Sequence, residues 1–345
     1  MFFIRRLLFA LPILIGVLLT TGDVLQGTME VVGSRSVLDS GIELVYQAPR
    51  AEQAKGLLLL AHGCSHSGTD WWPRGDLCPT CLGLPVEKSI VLEGLRRGYL
   101  VMALSSVNRK RRCWSDSDMP RAIIAIKWVL SKHNLTAKTF PIHLLGASSG
   151  GSFVGHIALR SINVSEIGAG VREKINPFAE INIRSAVIQI STLRVPSKKN
   201  KKLPARPGLL FMHMTRDSFL SSSISAFVRK ADSPSVREMT LAPKTITPDF
   251  FSDKGHLTTV DSRTLVQSLM AAGHLSKDGQ LLEDPRRSDW RPAASKALPG
   301  VVPNIDSLVA DESGISELLN MCWAQHEISN DNLHLMYDFM AEMEL

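Results

Sequence analysis

No apolar run among the 345 residues reaches the roughly 20 consecutive apolar positions that span a bilayer as a helix. Aromatic residues make up only 6% of the chain, and none is interleaved with its two short basic clusters, Arg109-Lys-Arg-Arg112 and Lys198-Lys199 with Lys201-Lys202. The remaining charge of a net +6 is scattered. That distribution excludes nucleic acid as a partner and leaves both clusters as solvated loops. Metal chemistry lacks its ligands as well: His62 and His66 stand close together with no third ligand at clear spacing, so no metal site and no cofactor are expected.

Cysteine is scarce, and its five positions carry information. Cys64, Cys78, Cys81 and Cys113 lie together, while Cys322 stands apart as the odd, buried thiol. Cys78-Pro-Thr-Cys81 has a spacing shared by zinc knuckles and redox motifs, so the compartment must decide. The start of the chain supplies that evidence. Arg5 and Arg6 precede an apolar run from Leu7 to Leu19, interrupted by Pro12 and Gly16 and followed by Thr20-Thr21-Gly22. This is the outline of a secretory signal. Residues 1–22 are read as a signal peptide before a mature domain of 23–345, secreted or held in the lumen of the endoplasmic reticulum or a vacuole. The alternative is an uncleaved anchor, with residues 7–21 holding the chain to a membrane. Either way four cysteines meet an oxidising lumen, where disulfides are favoured over zinc, their pairing undetermined. Two glycosylation triplets, Asn134-Leu-Thr136 and Asn163-Val-Ser165, fit that setting.

The chemistry concentrates in Ile142-His-Leu-Leu-Gly-Ala-Ser-Ser-Gly-Gly-Ser152. An apolar strand runs into Gly146-Ala147-Ser148-Ser149-Gly150, and a helical stretch follows. Strand, tight turn and helix are the setting in which Gly-x-Ser-x-Gly lifts a serine clear of the sheet as a nucleophile. A shifted small-x-Ser-x-small reading would choose Ser149. Ser148 is preferred, because the strand ends at Leu145 and the third residue beyond it stands at the apex.

Strand-like runs occur at residues 29–32, 42–46, 57–61, 99–104, 142–145, 185–190, 209–213 and 237–241, and amphipathic stretches at 86–97, 120–133, 152–161 and 218–230 separate most of the later ones. This predicts an α/β fold: a mostly parallel eight-stranded sheet with helices on both faces, opened by an antiparallel hairpin. Ligands belong at the carboxyl ends of its strands.

With a serine turn closing the fifth strand, residues 28–245 and the last helix resemble the α/β-hydrolase superfamily. His62-Gly63-Cys64-Ser65 looks like its oxyanion loop, and Asp249 to Asp253 is similar to a segment in a largely uncharacterised eukaryotic group of such proteins. The resemblance implies oxyanion donors at the backbone N–H groups of Cys64 and Ser149, Gly63 letting the loop come close. It implies an acid after strand seven, which is Asp217, with a helix N-cap as that residue's structural alternative. Asp232 and Asp249 are weaker choices. The base has two candidates: His256, soon after strand eight, and His326, just before the closing amphipathic segment. His326 is favoured, which makes 248–320 a helical insertion between strand eight and the histidine loop. The segment Asp284 to Pro292 reads as structural. Trp71-Trp72 reads either as a pocket wall or as packing.

The expected activity is that of a carboxylesterase-like or lipase-like serine hydrolase, peptidase activity being open, acting on a small-molecule or lipid acyl substrate through Ser148, His326 and Asp217. An acyltransferase with the same triad is the nearest rival. A non-catalytic binding protein on the same fold is another.

Overall fold

The computed structural model describes residues 29–50, 53–162, 178, 180–193 and 207–344. The expected signal segment, the triplet at Asn163 and the lysines at 198–202 lie outside them.

Eight strands form one sheet in the order β1-β2-β4-β3-β5-β6-β7-β8. They are β1 (Ser34–Val37), β2 (Glu43–Gln47), β3 (Gly56–Ala61), β4 (Tyr99–Leu104), β5 (Ile142–Ala147), β6 (Ile183–Gln189), β7 (Gly208–Met214) and β8 (Val236–Leu241). β1 and β2 pair antiparallel, β2 lies antiparallel to β4, and every later pairing is parallel. Runs such as Leu57-Leu-Leu-Leu60 are what strands covered on both faces require, and every residue of β3, β4 and β5 is buried. This order, with its antiparallel second strand and a serine turn after β5, is the α/β-hydrolase fold.

The first strand departs from expectation. Residues 29–32 are not in a strand; Ser34–Val37 is. The tight turn after Leu38, where Gly41 takes a φ of 70° and donates to the Leu38 carbonyl, fixes the register from the turn outward. The apolar run before it is tied instead by a side chain: Gln47 accepts from Val32 N–H and donates to the Glu30 carbonyl.

Helices α1 (Pro85–Arg96), α2 (Asp118–Lys132), α3 (Ser149–Ser161) and α4 (Ser218–Ala231) alternate with the strands. Within 248–320 lie α5 (Phe250–Asp253), α6 (Thr259–Ala271), α7 (Arg291–Ala297) and most of α8 (Gly314–Trp323). The closing helix α9 (Leu333–Glu342) rests against β6, β7 and α1, where the Tyr337 hydroxyl donates to the Ile90 carbonyl. None of the helices among the described residues is long and apolar enough to cross a membrane.

The chain leaves β3 toward β4 on one side and returns at β5 on the other, so the strand order reverses between β3 and β5. A crevice opens at such a reversal, outside the carboxyl ends of the strands. The serine turn and the His-Gly-Cys loop are the two segments that leave those strands there.

Candidate active site

Ser148 closes β5 with φ 52° and ψ −117°, a conformation disfavoured for any residue with a Cβ. Its amide is held by the Gln189 carbonyl at 2.9 Å. The turn depends on its glycines. A Cβ on Gly146 would stand 2.3 Å from the Gly150 carbonyl oxygen, and one on Gly150 would stand 2.3 Å from the Ala61 oxygen and 2.4 Å from that of His62. Helix α3 thus starts pressed against the end of β3, with Ser148 half-exposed at the apex.

The His326 ring lies 3.1 Å from Ser148 Oγ through Nε2 and 2.9 Å from Asp217 Oδ2 through Nδ1. Asp217 has both carboxylate oxygens engaged. Its Oδ1 caps α4 by accepting from the Leu220 amide, and its Oδ2 faces the imidazole. The histidine loop is shaped by Ala324, whose φ of 57° ends α8, and by Arg286, which donates to the His326 carbonyl at 2.6 Å. Arg286 belongs to the segment expected to be structural, yet it fixes the histidine backbone and lines the crevice.

His256 does not join this group. It packs on the start of α8, where a Cβ at Gly314 would meet its ring at 2.4 Å, and burial with the nearby Lys88 charge lowers its pKa to about 4. Ser149 Oγ is buried with no partner among the described residues. Asp249 pairs with Arg263, and Asp232 closes α4 in a left-handed turn.

The loop after β3 is braced from below. His62, 2% exposed, accepts from Ser106 N–H through Nε2 at 3.2 Å, which leaves Nδ1 as the donor to the Gly63 carbonyl at 2.6 Å. Burial keeps it neutral, with a pKa lowered to about 4. Trp114 donates to the His62 carbonyl at 2.7 Å, and a Cys64–Cys113 disulfide ties the loop sideways. Among the described residues no acceptor takes the N–H of Cys64 or of Ser149. Gly63 is not needed for close approach: a Cβ there would find contacts no nearer than 3.7 Å, to His66, and would sit 3.8 Å from Ser148 Cβ. The other disulfide joins Cys78 to Cys81, and Cys322 is buried and free. Trp71 and Trp72 are fully buried packing residues.

Between this loop and the histidine loop lies a cavity of about 220 Å³ reaching Ser148. Its far wall is acidic, and pattern reading missed it because the residues come from five distant segments. His66 bonds Asp70 at 3.1 Å. Burial opposes protonation of His66, but the hydrogen bond and the charges of Glu87, Asp70 and Glu327 prevail and raise its pKa to about 9. Glu87 and Glu317, each 3% exposed, are in carboxyl–carboxyl contact; burial raises both, the Glu317 charge raises Glu87 further, and on Glu317 the hydrogen bond with Glu87 works against the rise while the charges of Glu327 and Asp70 add to it. Two carboxylates cannot hydrogen-bond each other, so the pair holds a proton between its members. Glu327 is raised by burial and held partly in check by Arg286, which donates to it at 2.9 Å.

No family model matches the chain, and no curated protein matches it. Solved structures similar to it include an α/β serine hydrolase without a lid from Xanthomonas campestris, at 12% identity and a TM-score of 0.37, covering 80% of this chain and 97% of that one. An esterase from Pyrococcus furiosus aligns at 12% identity and 0.37 over 66% of this chain and 88% of its own. A dienelactone hydrolase from Anabaena variabilis aligns at 13% and 0.37 over 70% and 96%.

Proposed function

We propose that this chain, an α/β-hydrolase by fold, is a serine hydrolase that cleaves an ester or related acyl bond through an acyl-enzyme. The observation that carries the reading is the continuous relay Ser148 Oγ, His326 Nε2, His326 Nδ1 and Asp217 Oδ2, with steps of 3.1 and 2.9 Å. Ser148 attacks the acyl carbon as His326 Nε2 takes its proton, and Asp217 keeps the second ring proton on Nδ1 and stabilises the imidazolium. The developing oxyanion is received by the N–H groups of Cys64 and Ser149, each worth about 3 kcal/mol in such sites. His326 then returns the proton to the leaving group, and water repeats the sequence on the acyl-enzyme. The strained backbone of Ser148 supports the reading, since such strain persists where the surroundings enforce it and concentrates at functional sites.

The setting is the secretory pathway. Two disulfides suit an oxidising lumen, and Asn134 is exposed at a left-handed turn where a glycan can be attached.

Steady-state hydrolysis of p-nitrophenyl acetate and butyrate by the purified protein tests this. Wild type is expected to turn both over, with Ser148→Ala reduced to background. A Ser148→Ala protein that keeps the wild-type rate would remove Ser148 from the chemistry. No turnover by wild type would favour a binding protein on the same fold.

A further inference from the structure

We propose that the cavity beside Ser148 selects acyl substrates carrying a protonated amine, which the Glu87 carboxyl receives. This rests on the hydrolase reading and names its substrate class.

Glu87 lies in the first turn of α1, is 3% exposed and lines the cavity. No described N–H donates to it: Oε2 is buried without a donor, and its one partner is another carboxyl, that of Glu317. Glu317 is better supplied, accepting from the Val86 amide at 3.1 Å, but its Oε1 is orphaned in the same way. Among the described residues Glu87 is therefore a buried carboxyl at the wall of a reactive cavity, joined to Glu317 on one side and with no donor for its Oε2. Buried acceptors are costly to leave so.

The two cations of the wall are already committed. His66 is bound to Asp70, and Arg286 to Glu327 and the His326 carbonyl. Pairing them off leaves the Glu87–Glu317 pair with its single proton, and Asp311, whose Oδ1 is 3.7 Å from His66 Nε2. The wall is short of positive charge and of N–H donors together. A protonated amine supplies both. A carboxylate or phosphate would meet like charge, and an alkyl group would cover Glu87 without pairing it. The volume of about 220 Å³ suits a short aminoalkyl group rather than a long acyl chain.

The test compares near-isosteric ester pairs. The p-nitrophenyl esters of ε-aminocaproic and heptanoic acid place the amine on the acyl side; dimethylaminopropyl and isohexyl acetate place it on the alcohol side. At pH 7 the ammonium member of at least one pair should show a kcat/KM roughly tenfold higher than its neutral partner, the scale of one buried charge contact. Glu87→Gln should shrink that ratio at least several-fold, and so should Asp311→Asn, a rim substitution half-exposed to solvent that does not threaten folding. Neutral esters hydrolysed as fast as ammonium esters in both pairs would overturn the proposal and leave the hydrolase reading intact. A preference that persists in a Glu87→Gln protein with wild-type circular dichroism would also overturn it. Absence of Ser148-dependent turnover on all four esters would sink the hydrolase reading, and this inference with it.

Discussion

Alanine at two glycines of the site should have opposite consequences. At Gly150 the added methyl would lie 2.3 and 2.4 Å from two backbone carbonyl oxygens, those of Ala61 and His62, and 2.7 Å from the Ala61 carbonyl carbon. Backbone cannot rotate away as a side chain can, so α3 must back off β3 by about 1 Å, at the upper end of the 1–3 kcal/mol that overpacking costs. In a domain of this size each kcal/mol lowers Tm by about 1.5 °C, which predicts a drop of about 4–5 °C. The same shift carries the Ser149 amide away from the oxyanion position, and a misplacement of about 1 Å costs about 100-fold in rate. At Gly63 the nearest atoms are 3.7 and 3.8 Å away, ordinary contact distances, so Gly63→Ala should unfold within about 2 °C of wild type. Its methyl nevertheless stands beside Ser148 in the cavity, and ester turnover should fall about tenfold. Thermal melts by circular dichroism with ester kinetics on both variants decide the matter. A Gly150→Ala protein as stable and active as wild type would refute the packing argument, as would a Gly63→Ala protein destabilised to the same degree.

Asp217→Asn should keep the cap on α4, since Asn caps as well as Asp, and so leave Tm nearly unchanged while turnover falls by about 10³–10⁴. Asp217→Ala should lose about 1 kcal/mol of stability in addition, seen in the same melts. The His66 pKa, raised from 6.5 to about 9, makes its charge a stabiliser that is fully present below pH 6.5 and lost as pH rises through 9. The contribution is about 3 kcal/mol, so Tm should fall across that window in wild type and flatten in His66→Asn; an unchanged slope would contradict it. Reducing Cys64–Cys113 opens a loop with a sequence separation of 49, worth about 4 kcal/mol on the chain-entropy account, and frees the oxyanion loop. Cys78→Ser with Cys81→Ser opens a separation of only 3, worth under about 2 kcal/mol, and should leave ester turnover near wild type.

Features written in short contiguous stretches are legible in the sequence. Apolar runs separated by amphipathic stretches mark the sheet and its layers, and a Gly-x-Ser-x-Gly between strand and helix marks the turn. Asp217 was readable through the family resemblance, which implies an acid after strand seven, although its double use as cap and histidine partner was not, since one carboxylate's two oxygens leave no separate trace in sequence. His326 stood out over His256 by its place before the closing helix, and it is His326 that reaches Ser148. The acidic wall was invisible. The Val86 amide and the Glu317 carboxylate it donates to are 231 residues apart, and Arg286 acts on His326 across a separation of 40. Glutamates on amphipathic helices read as solvated until the fold turns them inward. Register at β1 was missed for a related reason: a turn of modest sequence outranked the more apolar run before it.

The central claim is that Ser148 is activated by His326. Covalent labelling with a fluorophosphonate probe, read by mass spectrometry of the modified peptide, tests it directly in wild type, Ser148→Ala, His326→Ala and His256→Ala. The account predicts a single adduct on Ser148 in wild type and His256→Ala, and none in Ser148→Ala or His326→Ala. Labelling that persists in His326→Ala and vanishes in His256→Ala, or an adduct on Ser149, would contradict it.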